Sequence, residues 1–183
     1  MPDEQLVFGP TLEGLFLRGL KGKLSPTLVS QLRGMGLDLE RPLLPAYSRK
    51  VVNECVLLTA KTLYPDRPLS DAFYLVGKHV TPGLRTTALG SATLTMVRLV
   101  GPKRTLGRLA RTFRSTNNYM QVTLRELAGS TFELDLEPSN EFPSYMQAVI
   151  EDMLEVAGAT NLVVDVVLHD KPRAFCTYRI TWR

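Results

Sequence analysis

The sequence predicts an α+β fold, a helical first half followed by a four-stranded antiparallel sheet in ββαββ order. Three observations carry that expectation. Up to about residue 115, apolar residues recur at helical spacing, punctuated by Ser, Pro and Gly as helix starts and stops. From about residue 116 onward, apolar and polar residues alternate in four separate runs. One amphipathic helix interrupts those runs midway. No internal repeat, low-complexity tract or linker divides the chain, so residues 1–183 are expected to form a single domain. A chain of 183 residues can bury a real core without disulfides or metals.

Thr11 to Leu20 carries Leu12, Leu15, Phe16 and Leu20 on one helical face. Ser25-Pro26 starts the next helix, serine as cap and proline at the first position, and Gly34 or Gly36 ends it. Leu37 to Pro45 reads as a loop broken by Pro42 and Pro45. Ser48 caps a longer helix to about Leu63, which Pro65 stops. Ser70-Asp71 caps another, expected to end near Pro82-Gly83. Leu84 to Val100 shows no strand-like alternation and is assigned to a helix; Gly101-Pro102 breaks it, and one more helix spans Pro102 to Arg114.

The period then changes. Met120, Val122 and Leu124 alternate with Gln121, Thr123 and Arg125, and Thr131 to Glu137 alternates strictly, with Ala128-Gly129-Ser130 as the turn of a hairpin. A second hairpin pairs Leu162, Val164, Val166 and Leu168 with Ala174, Cys176, Tyr178, Ile180 and Trp182 as inner faces, and His169 to Pro172 is expected to turn it. Glu133, Asp135, Thr177 and Arg179 are expected on the outer face. Between the hairpins, Phe142, Met146, Val149, Ile150, Met153 and Leu154 form one stripe of a helix whose other face holds Gln147, Glu151, Asp152 and Glu155.

Composition excludes several classes. Hydrophobic residues are 44% and charged residues 22%, ordinary for a globular chain. No run reaches the roughly eighteen apolar residues of a membrane span. The segment Met1-Pro2-Asp3-Glu4-Gln5 lacks the basic-then-apolar order of a signal peptide, so the cytoplasm is the expected compartment. Cys55 and Cys176, His79 and His169 are too few and too scattered for a metal site, and both thiols are expected to be free and buried. There is no Gly-x-Ser-x-Gly, phosphate-binding loop, dinucleotide fingerprint or His-Glu-x-x-His; Gly9, Gly14 and Gly19 recur at intervals of five and match none of these. Glu151, Asp152 and Glu155 fall on the helix face expected to be wet, His79 in a helix's final turn, where a cation is favourable, and His169 in the hairpin turn.

Val7-Phe8-Gly9, Leu15, Tyr64-Pro65, Arg98-Leu99-Val100-Gly101-Pro102-Lys103-Arg104, Thr116-Asn117-Asn118-Tyr119 and Ile180-Thr181-Trp182 together resemble a paralogous protein family of myxobacteria. That family has no assigned biochemical activity, so the resemblance implies fold and source more than function. The final third, Phe113 to Trp182, is similar to the C-terminal part of haem-based nitric-oxide and oxygen sensor domains, which also end in hairpin, helix, hairpin. Those domains hold haem through a histidine on the helix before the first hairpin and bind its propionates with a Tyr-x-Ser-x-Arg motif. Here Pro102 to Arg114 contains no histidine, and the nearest stretch to the motif reads Tyr119-Met120-Gln121-Val122-Thr123. The resemblance therefore implies the scaffold without a cofactor, and a ligand pocket or a protein interface in place of haem.

Charge is segregated. From Ala72 to Arg125 there is no acid, whereas Lys78, Arg85, Arg98, Lys103, Arg104, Arg108, Arg111, Arg114 and Arg125 are basic; from Glu126 to Asp170 there is no Lys or Arg among ten acids. On the helix Pro102 to Arg114, Leu106, Leu109, Ala110 and Phe113 project one way and Arg104, Arg108 and Arg111 the other. Those three arginines are the candidate anion or partner contact, toward an acidic protein, a phosphate-bearing ligand or an anionic membrane. The alternative is a solvated face turned to the protein's own acidic block. Nucleic acid is disfavoured, because no exposed aromatics interleave the basic residues. The uncharged, small-residue run Thr86 to Val97 offers either close helix packing or a pocket wall at Thr93, Thr95 and Met96. The leading expectation is a non-enzymatic sensory or regulatory module that binds a small apolar or anionic ligand without a metal or cofactor. The alternatives are a protein-interaction module, dimeric through the basic helix or the outer sheet face, and third an enzyme.

Overall fold

Ser25 and Ser48 both cap the helices assigned to them: Ser25 Oγ accepts the Leu28 N–H at 3.2 Å and Ser48 Oγ that of Val51 at 3.3 Å. Each such cap is worth about 1 kcal/mol against alanine. The computed structural model describes residues 4–139 and 141–183, with the side chains of Leu89 and Ala110 outside the description. The expected place of Ala110 on the apolar stripe, and the expectation for Met1 to Asp3, therefore lie outside the described residues. The architecture is mixed α and β: β1 (Leu6–Phe8), α1 (Gly9–Leu12), α2 (Pro26–Gly34), β2 (Ala46–Ser48), α3 (Arg49–Leu63), α4 (Leu69–Gly77), α5 (Val80–Arg85), α6 (Ala88–Val100), α7 (Pro102–Arg114), β3 (Gln121–Ala128), β4 (Thr131–Glu137), α8 (Pro143–Val156), β5 (Val163–Asp170) and β6 (Phe175–Thr181).

Four expectations need correcting in the helical half. It contains a small sheet: β1 pairs antiparallel with β2, Val7 opposite Tyr47, and three-residue strands are too short to show a period in sequence. Asn118 fastens β1 to the start of the large sheet by accepting the Leu6 N–H at 2.8 Å. Second, the helix expected from Thr11 is α-helical only to Leu12 and widens to a π-helical stretch over Glu13–Gly19. There Leu20 N–H donates five residues back, to Leu15, at 2.8 Å. Gly14 and Gly19, one such turn apart, both abut Gly83 of α5, where a Cβ would overlap the Gly14 carbonyl and sit 2.6 Å from Gly19 N. The interval-of-five glycines thus serve backbone packing.

Third, the helix expected from Ser70 to Gly83 is two, because α4 stops before Lys78 and α5 resumes at Val80. A continuous helix would place Pro82 against the carbonyl of Lys78 and lose its hydrogen bond; in α5 the proline falls in the first turn, where an N–H has no partner anyway. Ser70 does not cap α4; its hydroxyl donates to Asp71 at 3.2 Å. Fourth, α6 starts at Ala88 behind a Thr87 cap rather than at Leu84.

The large sheet is antiparallel throughout, in the order β3-β4-β6-β5. Leu134 stands opposite Leu124 on one side and Tyr178 on the other. Its inner face, including Phe132, Leu134, Leu136, Cys176, Tyr178, Ile180 and Val164, is buried. α7 covers the β3 side and α8 the β5 side. On α8, Met146, Val149, Ile150, Met153 and Leu154 are all buried, as the stripe required. Cys55 and Cys176 are free and buried, and burial pushes the Cys55 thiol up to about 12, with Glu54 adding to the shift.

One part of the second hairpin differs from expectation. A bulge between Val166 and Leu168 shifts the phase of β5, so Leu168 pairs with Thr177 on the outer face and is half exposed. His169 takes the inner phase opposite Cys176, and the turn runs over residues 171–174 instead of 169–172.

Candidate functional site

Three regions compete for a functional role: the seam between α7 and the sheet, a groove on the opposite side, and the outer face of α7. The seam is filled. Leu106 and Leu109 are 1% exposed and Phe113 6%; across from them Leu134 and Leu136 are 0% exposed. Tyr178 is buried too, and its hydroxyl donates to the Pro143 carbonyl at 3.0 Å, which ties the sheet to the first turn of α8.

The groove is open. Its volume is about 1160 Å³, and it lies between α3, the start of α4, the segment before α8 and the β5–β6 turn. Leu57, Leu69, Phe73 and Phe142 supply an apolar floor, with Phe73 and Phe142 stacked at 3.7 Å. Lys50, His169 and Lys171 stand on its walls with Glu54 and Glu141. Arg49 braces it: Nη1 donates to Gln5 Oε1 at 2.8 Å, Nη2 to the Ser139 carbonyl at 2.5 Å, and the guanidinium lies 5.1 Å from the Tyr119 ring centre. Sequence reading missed this groove because its lining is drawn from five separate segments with no local pattern. The bulge in β5 is what turns His169 toward it.

Beside the groove, α4 and α8 share a half-buried charge cluster. Lys78 Nζ lies 2.7 Å from Asp152 Oδ1 and 3.3 Å from Glu151 Oε2, and the Tyr74 hydroxyl donates to Glu151. Burial opposes both charges. On Asp152 burial prevails over Lys78 and raises the carboxyl above its ordinary range; on Lys78 the carboxylates outweigh burial and raise the ammonium. Glu151 and Asp152 were expected on a wet face; α4 covers them because α8 is packed on two sides. His79, expected where a cation is favourable, lies between α4 and α5 with Nε2 3.2 Å from the Tyr64 hydroxyl; burial and the nearby Lys23 lower its pKa.

The arginine face is exposed and uncompensated. Arg104, Arg108 and Arg111 are exposed, as are Arg98, Lys103 and Arg114. Of these, Lys103 alone makes an ion pair among the described residues, with Glu126 at 2.8 Å. The acidic block pairs elsewhere. On the outer sheet face Glu133 accepts from Arg125 at 3.0 Å and Arg179 at 2.9 Å, while Asp135 accepts from Arg125 at 2.5 Å and from the buried Thr177 hydroxyl at 2.7 Å. The candidate pocket wall is corrected at two positions. Thr95 and Met96 are exposed, because α6 buries Leu94 and Val97 instead. Thr95 Oγ1 donates to the Ser91 carbonyl at 2.9 Å. Neither these nor the half-buried Thr93 lines the groove.

Among the described residues no cluster of His, Cys, Asp and Glu is arranged to hold a metal ion, and no helix is long and apolar enough to cross a membrane. The fold is shared with H-NOX domains along nearly the whole chain. An H-NOX protein from S. oneidensis in the Fe(II)NO state matches with TM-score 0.65 and 11% identity, over 96% of this chain and 99% of that one. An unliganded Fe(II) H-NOX protein from K. algicida matches with TM-score 0.62 and 11% identity, over 95% of each. An oxygen-binding H-NOX domain related to soluble guanylate cyclases, solved as its oxygen complex, gives 0.61 and 13%, over 95% and 94%. At such identities the likeness establishes the fold alone. The chain belongs to the DUF2378 family, a protein family of unknown function whose model matches residues 5–183. No curated protein matches it significantly.

A haem held from α7 does not fit these residues. α7 buries Leu106, Leu109 and Phe113, with no imidazole on the helix, and the inner face of the sheet carries buried Phe132, Leu134 and Leu136. Neither histidine is on α7: His79 is engaged with Tyr64, and His169 faces the groove.

Proposed function

We propose that this protein is a non-enzymatic sensory or regulatory module that binds a small, largely apolar or anionic ligand in the groove beside α3 and α4. The groove itself carries the reading. An apolar floor of Leu57, Leu69, Phe73 and Phe142 suits a hydrocarbon or ring body, and Lys50, His169 and Lys171 suit a carboxylate or phosphate head. A volume of about 1160 Å³ is ample for a small molecule. The shared fold with H-NOX domains, whose solved members include an oxygen-binding one, supports a sensory role on the same scaffold. The cytoplasm and a myxobacterial source are part of this reading.

Titration with laurate, followed by calorimetry, tests it. Wild type is expected to bind, and Phe142→Ala with Lys171→Glu to lose binding while remaining folded. No heat of binding from laurate, together with no copurifying molecule in native mass spectrometry, would reject the groove as a ligand site.

Exposed apolar residues on β5 favour a second reading, a homodimer through the outer sheet face: Val163 and Leu168 are each 51% exposed and Val167 41%. Arg125, Glu133, Asp135 and Arg179 are already paired within that face, so a dimer built on its apolar residues would resist salt. A monomer at every protein concentration in sedimentation would remove it.

A further inference from the structure

We propose that the corner between α6 and α7 docks on an anionic lipid bilayer, with arginines against the headgroups and Leu99 and Met96 inserted between them. The proposal goes beyond the groove reading and uses none of its residues, so either can fail alone. Three observations meet at this corner. First, Leu99 is 76% exposed and Met96 54%, the two most exposed large apolar side chains among the described residues of the helices. Three residues apart on α6, they are neighbours on one helix surface. Second, Arg98, Lys103 and Arg104 flank Gly101, the single residue between α6 and α7, and Arg108 and Arg111 continue the stripe along α7. Third, Arg98, Arg104, Arg108 and Arg111 make no ion pair with any described residue, although ten acids follow them in the chain.

A protein surface rarely leaves four arginines uncompensated beside protruding leucine and methionine when its own carboxylates are within the same domain. The outer sheet face of this molecule shows the other arrangement, where Arg125 and Arg179 each reach a carboxylate. A bilayer with acidic headgroups satisfies both halves of the patch at once. Its phosphates accept the planar fork of arginine, and the layer beneath accepts an apolar side chain. Duplex nucleic acid offers phosphates with no apolar layer, and an acidic protein would need a matching cavity for Leu99. The apolar face of α7 is buried in the core at Leu106, Leu109 and Phe113, so the helix rests on the surface by its arginines while the α6 corner does the inserting.

The experiment is flotation of the full chain with two kinds of vesicle, pure phosphatidylcholine and phosphatidylcholine mixed with phosphatidylglycerol. Wild type is expected to float with the anionic vesicles only, and to be released by salt. Each arginine near an anionic surface contributes roughly a fivefold gain in partitioning, so Arg104→Glu/Arg108→Glu/Arg111→Glu should lose at least about 100-fold. Met96→Ser/Leu99→Ser should lose a smaller factor and become more salt-sensitive. In Leu99→Trp the added indole emission should shift to the blue on anionic vesicles alone. Circular dichroism confirms that each variant is folded. Equal flotation on both vesicle types, no flotation, or an unshifted Leu99→Trp emission would overturn the proposal. So would retention on polyglutamate or duplex DNA that the triple variant loses, without any vesicle binding.

Discussion

The seam between α7 and the sheet and the groove beside α3 belong to the same chain, yet one is closed and the other open. In the seam, Leu106 and Leu109 of α7 and Leu134 and Leu136 of β4 are all at near-zero exposure. In the groove, Phe73 and Phe142 stack on each other beside Leu57 and Leu69, and charged groups, Arg49 among them, line the same concavity. The difference is one of packing on a scaffold whose fold is shared with H-NOX domains. Filling the seam needs only ordinary core packing. At the groove, the Arg49 guanidinium is held by Gln5 and the Ser139 carbonyl.

The largest expected effect is therefore in the closed region. Leu134→Ala, or Ile150→Ala on the helix that covers the sheet, should cost about 2–5 kcal/mol in urea unfolding. A loss below about 0.5 kcal/mol, the size usual at exposed positions, would mean the seam is not packed as described. Asp135→Ala tests the polar side of the same sheet. It strands the buried Thr177 hydroxyl, so a cost of about 1–3 kcal/mol is expected. Asp135→Asn, which keeps an acceptor for Thr177, should recover much of it.

A smaller effect depends on pH. Burial, then Lys23, lowers the pKa of His79 from its ordinary 6.5. Unfolding then takes up a proton between the lowered value and 6.5. The stability due to a neutral His79 is full above pH 6.5 and is lost as pH falls toward the folded pKa. His79→Gln should flatten the melting-temperature profile below pH 6.5. An unchanged slope would remove His79 as its source. The smallest effect is expected on the outer arginine face: reversing Arg104, Arg108 and Arg111 together should leave stability within about 0.5 kcal/mol, as for surface sites without partners. A clear loss would reveal an internal partner.

Much of the architecture was legible because strong local patterns agreed with the tertiary fold. Thr131 to Glu137 alternates and forms β4 over those residues, and Pro102 to Arg114 bounds α7 as expected. What escaped was set by contacts distant in sequence. The break between α4 and α5 follows from Pro82, whose ring would meet the Lys78 carbonyl in a continuous helix. The π-helical stretch answers the close approach of Gly83, and no helical period in Thr11 to Leu20 announces it. The bulge that exposes Leu168 inserts one residue into an otherwise regular alternation. The exposure of Arg104, Arg108 and Arg111 was legible because a charged stripe is a local signal; the groove was invisible because Leu57, Phe73, Phe142 and Lys171 come from different elements.

Native mass spectrometry of the protein purified from its own host tests the central claim most directly, that ligand capacity resides in the outer groove and not in the seam. The account predicts a copurifying small molecule that is retained in Arg104→Glu/Arg108→Glu/Arg111→Glu and lost in Phe142→Ala/Lys171→Glu. A mass increment of one haem, or a bound molecule indifferent to the groove substitutions, would contradict it.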